Sequence, residues 1–239
     1  MKSTYFQFQE FSVRQSHSAM KIGTDGVLLG AWSQLPKASA RVLDIGTGTG
    51  LLSLMLAQRF ANVVIHAIEI DTSAAAEALF NFEQSPWRER LNIEHTDLVS
   101  FSAQKSLAFD HIVCNPPFYQ NSYPIKNDQR NLARNHISLP LTDIFQGVTT
   151  LLSKRGSCSL VLPIEQEKEV ISLARSKGLF LRRCTKVRGH VTAPFKRILI
   201  ELGRIDQKTV FDSLTLEIAR HQRTPEHQTL VEAFYLPQV

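Results

Sequence analysis

From residue 41 onward, short apolar runs alternate with amphipathic stretches. RVLDI (41–45), VVIHAIEI (63–70), LNIEHTD (91–97), FDHIVCN (109–115) and GSCSLVLP (156–163) have the length and apolar character of buried strands. Between them, LLSLMLAQRF (51–60), SAAAEALFNFEQ (73–84), LTDIFQGVTTLL (141–152) and EQEKEVISLARSKG (165–178) carry helical spacing, the last stopped by Gly178. Two longer runs, LFLRRCTKVRG (179–189) and FKRILIELGR (195–204), predict a closing pair of strands. PEHQTLVEAFY predicts a final helix with Thr224 as N-cap and Pro225 at its first position. Strands alternating with helices imply βαβ units. The predicted fold is therefore α/β, a doubly wound and mostly parallel seven-stranded sheet with an antiparallel edge strand. No internal repeat or low-complexity linker divides the chain, so a single domain over 1–239 is expected, residues 1–40 forming an N-terminal extension.

Composition narrows the setting. The chain is 43% hydrophobic and 21% charged, and no apolar run approaches a membrane span. The start, MKSTYFQFQEF, lacks the apolar core of a secretory signal. Cys114, Cys158 and Cys184 are odd in number and far apart, which points to reduced thiols and a cytoplasmic protein. A net charge of +5 permits a polyanionic partner without requiring one. The eight histidines show no HxxxH or cysteine-pair spacing, so no metal is expected.

In such a sheet, ligands bind beyond the carboxyl ends of strands. Asp44-Ile45-Gly46-Thr47-Gly48-Thr49-Gly50 leaves the first of these strands and opens a helix, so its backbone can approach a ligand closely. A dinucleotide fingerprint would need a third glycine at Leu51. An aspartate ahead of the loop suits a ligand with positive charge and an amino-acid tail better than a pyrophosphate. S-adenosylmethionine carries a sulfonium, an ammonium and a carboxylate. The competing reading is a tight turn without a ligand. Glu69, 19 positions after Gly50, can accept both hydroxyl hydrogens of a ribose, with Asp71 as its competitor and Ile70 between them. Asp97, followed by Leu98, either reaches an adenine amino group or caps the turn that follows.

The fourth strand ends abruptly in Asn115-Pro116-Pro117-Phe118. An exocyclic amino nitrogen conjugated to a ring is a poor nucleophile because its lone pair is delocalised. The Asn115 side-chain carbonyl and the Pro116 backbone carbonyl can each accept one of its N–H groups. That aims the lone pair and stabilises the growing positive charge. The two prolines fix the chain, and Phe118 supplies a stacking face for a planar base. Cys114 points away from Asn115 on a strand and reads as packing rather than chemistry.

These motifs resemble the catalytic and cofactor motifs of Rossmann-like, class I amino-methyltransferases. KIGTDGVLLGAW (21–32), the glycine loop, Asn-Pro-Pro-Phe and the closing FYLP together resemble the bacterial tRNA1(Val) (adenine-37-N6)-methyltransferase family along nearly the whole chain. The resemblance implies transfer of a methyl group from S-adenosylmethionine to the N6 of adenine beside a tRNA anticodon, by a cytoplasmic monomer. It implies cofactor contacts at Lys21, Thr24, Asp25, Asp44, Gly46, Thr47, Gly48, Gly50, Glu69, Ile70, Asp97, Leu98 and Asn115, with residues 1–40 covering the cofactor site. Catalysis would lie with Asn115, Pro116, Pro117 and Phe118. Basic residues that could meet RNA phosphate cluster at Lys126, Arg130 and Arg134 and again on the closing strands. There Arg182, Arg183 and Lys186 precede Arg188, Lys196 and Arg197. Their other reading is scattered, solvated charge. Two rivals stay open: guanine-N2 methylation of ribosomal RNA, and a non-catalytic protein that binds the cofactor or RNA.

Overall fold

Parallel strands covered by helices on both faces need apolar side chains pointing both ways. Val42, Leu43 and Ile45, Val63, Ile65, Ala67 and Ile68, and Ile112, Val113 and Cys114 meet that need, each at most 2% exposed. The computed structural model describes residues 4–16, 21–35, 40–104, 108–117 and 139–237. In chain order they form β1 (Tyr5–Gln7), β2 (Ser12–Arg14), α1 (Thr24–Trp32), β3 (Ala40–Ile45), α2 (Leu51–Arg59), β4 (Val63–Glu69), α3 (Thr72–Glu83), β5 (Leu91–His95), α4 (Leu98–Gln104), β6 (Phe109–Cys114), α5 (Leu141–Leu151), β7 (Leu152–Pro163), α6 (Glu167–Ser176), β8 (Phe180–His190), β9 (Arg197–Gly203), β10 (Val210–Ala219), β11 (Gln222–Arg223) and α7 (Pro225–Val231).

The main sheet runs β11-β10-β8-β9-β7-β6-β3-β4-β5. β3 through β7 pair in parallel, β9 is antiparallel to both β7 and β8, and β10 is parallel to β8. The chain steps from β3 outward to β4 and β5, then returns to β6 on the other side of β3. That reversal opens a crevice at the carboxyl ends of β3 and β6, where the glycine loop and Asn115 emerge. Alternating strand residues feed two apolar layers. Val42 and Val113 pack with α1, α2 and the N-terminal hairpin, whereas Leu43 and Ile112 pack with α4, α5 and α6.

All seven predicted strands form, and the sheet then continues beyond them. The antiparallel strand expected at an edge is β9, and it lies inside. Ile198, Leu199, Ile200 and Leu202 are fully buried, which needs neighbours on both sides. β10 and β11 cover β8 instead. β10 escapes a search for buried runs because only Leu214 of its ten residues is buried. The β1–β2 hairpin escapes it because each strand has three residues. Its anchors are Phe8 and Phe11 in the link, their rings stacked at 4.6 Å. Gln9 ties the hairpin to the far end of the chain, its backbone N–H donating to the Phe234 carbonyl at 2.9 Å. Thr224 caps α7 as expected, accepting from the His227 N–H at 3.1 Å.

Candidate active site

The glycine loop takes a backbone path that side chains resist. Gly46, Gly48 and Gly50 have φ of 66°, 57° and 84°, in the left-handed region. A Cβ built on Gly46 or Gly48 meets nothing within 4 Å, so both face open space. A Cβ on Gly50 would come within 2.5 Å of the Phe82 ring, so its role is packing.

Two carboxylates hold this loop. The Gly48 N–H donates to Glu69 Oε2 and the Asp71 N–H to Glu69 Oε1, both at 2.9 Å. Glu69 therefore ties the loop to the end of β4, while Asp71 caps α3 by accepting from Ala74 N–H at 2.8 Å. Asp44 is fully buried, and its Oδ2 accepts from the Thr47 hydroxyl at 2.6 Å and the Ser53 hydroxyl at 2.7 Å. Its Oδ1 has no partner among the described residues. Burial raises its pKa to about 6, against the pull of those two hydroxyls.

Asn115 leaves β6 at the mouth of the crevice. Its Oδ1 is buried and also lacks a partner among the described residues. Gly26 of α1 backs onto it, with 3.7 Å separating a built Cβ from Asn115 Nδ2. Thr24 and Asp25 form the first turn of α1, and Arg197 Nε donates to Asp25 Oδ2 at 2.8 Å. The structure thus brings together the glycine loop, Glu69, Asp44, the α1 N-terminus and Asn115. Pro116 and Pro117 follow in place, and Phe118, Lys126, Arg130 and Arg134 lie outside the described residues.

Other predicted residues have structural duties. Asp97 caps α4, with Oδ1 accepting from Ser100 N–H at 2.9 Å and Oδ2 from the Ser100 hydroxyl at 2.6 Å. The Ser100 hydroxyl, then its N–H, pulls the Asp97 pKa down. Leu98 packs its side chain on Gly147 in the core, leaving only its backbone for a ligand. Ile70 is half-exposed beside Glu69. Lys21 is exposed, and its Nζ donates to the Gln15 carbonyl. On the closing strands Arg183 stacks on Trp32 at 3.5 Å and pairs with Glu201, while Lys186 pairs with Glu167. Arg188 donates to Thr215, and Lys196 is exposed.

Sequence reasoning did not find Ser53 or Asn81. Asn81 Nδ2 donates to the carbonyls of Arg14 and Thr49, fastening the hairpin to the glycine loop. Both residues lie on helix faces where polarity alone gives no signal.

The methyltransferase small domain family matches residues 15–169. Curated relatives named tRNA1(Val) (adenine(37)-N6)-methyltransferase include one from Christiangramia forsetii, 43% identical and covering 99% of both chains. Another from Flavobacterium psychrophilum is 42% identical over 97% of this chain and 99% of its own. One from Trichodesmium erythraeum is 40% identical over 99% of each. Among solved structures, a predicted O-methyltransferase from Agrobacterium tumefaciens gives a TM-score of 0.67 at 18% identity, covering 88% of this chain and 96% of that one. A ribosomal protein L11 methylase from Lactobacillus delbrueckii gives 0.55 at 18%, covering 76% and 78%. At such identities these two share the fold alone, a Rossmann-like methyltransferase fold. Aligned end to end with the first three relatives at 40–43% identity, the chain belongs to the tRNA1(Val) (adenine(37)-N6)-methyltransferase family.

Proposed function

We propose that this chain methylates the exocyclic N6 of adenine in tRNA, at position 37 of tRNA1(Val), using S-adenosylmethionine. Full-length similarity to enzymes of that name supports the reaction and its substrate. The observation that carries the mechanism is the buried Oδ1 of Asn115 at the carboxyl end of β6, which has no partner among the described residues. A buried acceptor without a donor is costly, so its persistence points to a donor supplied by the substrate.

The pocket's chemistry fits the cofactor. Gly46 and Gly48 offer bare backbone facing open space. Asp44 Oδ1 is a buried acceptor without a donor among the described residues, suited to a cationic ligand. Glu69 keeps one lone pair on each oxygen for a ribose after accepting its two backbone N–H groups. S-adenosylmethionine supplies an electrophilic methyl group on a sulfonium. Asn115 Oδ1 and the Pro116 carbonyl accept the two N6–H groups of adenine and turn the nitrogen lone pair out of the ring system. A cofactor held there would supply the methyl group and leave as S-adenosylhomocysteine; both oxygens would stabilise the positive charge that develops on nitrogen, and the surplus N6 proton would pass to solvent. Phe118 stacks on the extruded base.

The remaining features of this reading are a single domain over 1–239, an N-terminal segment covering the cofactor, a monomer, and a cytoplasmic location. Among the described residues no helix is long and apolar enough to cross a membrane, and no cluster of His, Cys, Asp and Glu could hold a metal. The test is methylation of an unmodified tRNA1(Val) transcript, followed by nuclease digestion and nucleoside mass spectrometry. N6-methyladenosine at position 37 is expected. N2-methylguanosine, or no product, overturns the reading.

A further inference from the structure

A second cavity, of about 200 Å³, is walled by α1, β10, the β10–β11 turn and the C-terminal segment. Its polar lining is Thr24, Glu217, His221, Arg223, His227 and Tyr235. None of these except Thr24 has a part in the methyl-transfer site. We propose that this cavity binds a second unpaired base of the same RNA, one bearing an exocyclic amino group, and thereby selects which RNA is methylated. The inference rests on the RNA substrate of the previous section and adds a recognition site to it.

The chemistry of the walls carries the assignment. His227 is buried, and its Nδ1 lies 2.9 Å from the Leu216 carbonyl. A carbonyl only accepts, so Nδ1 holds the proton and Nε2 presents a lone pair. Burial lowers the pKa of this ring, which keeps it neutral and Nε2 an acceptor. Glu217 adds a carboxylate to the same lining. Two acceptors in one lining suit a base that bears an exocyclic amino group, as adenine, cytosine and guanine do. They disfavour uracil, which has no exocyclic amino group and a single N–H between two carbonyls. The Tyr235 ring packs on Phe6 and Phe8, and the Arg223 guanidinium lies 4.5 Å from its centroid, held by Gln228 at 3.2 Å. A guanidinium fixed in this way at the cavity wall can meet the face of a base or a phosphate. His221, at φ 64°, is the one non-glycine residue with positive φ among the described residues, and that turn brings its side chain to the cavity.

Position supports the same partner. Thr24 is two residues from Gly26, which backs onto Asn115. The cavity therefore shares α1 with the catalytic turn. Both lie at the same end of the sheet, where β6, β8 and β10 finish. β10 is four strands from β6 in the sheet order, about 19 Å at ~4.8 Å per strand. A flexible RNA loop spans that distance while one of its bases is extruded at Asn115.

The test couples protein to RNA. Arg223→Gln and Glu217→Gln are compared with wild type on tRNA1(Val) transcripts in which single unpaired anticodon-loop bases are replaced by uracil. Expected is a fall of at least tenfold in kcat/KM for each protein variant, with S-adenosylhomocysteine affinity and Tm unchanged. One uracil replacement should cost wild type a similar factor and cost Glu217→Gln nothing further. Wild-type kcat/KM in both variants, or RNA and protein changes that simply multiply, overturns the inference. Absence of methylation by wild type on the unaltered transcript instead removes the RNA-methylation reading on which it rests.

Discussion

Asp44→Asn separates the two demands that the crevice places on one side chain. The wild-type carboxyl is buried and its pKa is raised from 3.8 to about 6. In the folded protein the proton is therefore held more tightly than in the unfolded chain. The charge carries no penalty below pH 3.8, and the penalty grows until the carboxyl ionises near pH 6. Two units correspond to ~3 kcal/mol of lost stability at neutral pH and above. An amide removes that penalty and keeps one oxygen to accept from Thr47 and Ser53. The pull of those two bonds is already contained in the shift, but the amide sets Nδ2 where Oδ1 has no partner among the described residues, and a buried donor without an acceptor returns ~1–2 kcal/mol. The variant should thus be more stable than wild type by ~1–2 kcal/mol at pH 8 and equal to it at pH 4. For a chain of this length that is a rise in Tm of about 2–8 °C. Thermal unfolding of the ligand-free protein across pH 4–8 reads it directly. The same change removes the counter-charge for a cationic ligand, so calorimetry should show S-adenosylmethionine binding at least tenfold more weakly. A Tm difference that is flat with pH, or a less stable variant at pH 8, refutes the reasoning about burial. Unchanged affinity refutes the assignment of Asp44 to the cofactor.

Gly48→Val should abolish S-adenosylhomocysteine binding in calorimetry. The fold should survive at a cost of ~1–2 kcal/mol for a branched residue at positive φ, because a Cβ there meets no protein atom; binding that persists means the loop does not face the ligand. Glu69→Gln sets an amide N–H against one of two backbone N–H groups, so urea unfolding should show a loss of ~1–3 kcal/mol along with weakened cofactor binding. A variant as stable as wild type would mean that the glutamate does not hold the loop. If RNA phosphates dock on the basic residues, tRNA affinity should fall steeply between 50 and 200 mM salt, roughly tenfold or more; a flat response would point away from a polyanionic substrate.

Much of this was legible from residue order because the chemistry is local. Gly46 and Gly48 announce a positive-φ loop, and their strand-to-helix setting places it. Asn115 with two prolines announces a rigid acceptor at a strand end. Thr224-Pro225 announces a helix start. What was illegible depends on partners distant in sequence. Asp97 reads equally as a ligand contact or a cap, and only the position of Ser100 shows the cap. Glu69 reads as a ribose acceptor, but its second duty, holding the backbone of Gly48 and Asp71, depends on partners that residue order does not show. Arg183 and Lys186 read as RNA contacts or solvated charge, and residue order does not show that Trp32, Glu201 and Glu167 lie beside them. β10 was missed because an outlying strand that buries one residue lacks the apolar signature used to find the others.

The central claim concerns one oxygen atom. Asn115→Ala removes an acceptor that no donor among the described residues satisfies, so the fold has little reason to weaken while the reaction loses its aim. Single-turnover methyl transfer to tRNA1(Val), measured beside S-adenosylhomocysteine binding, reads that split. The account predicts a rate ~10²–10³-fold lower with cofactor affinity within a few fold of wild type. A rate within a few fold of wild type would contradict it.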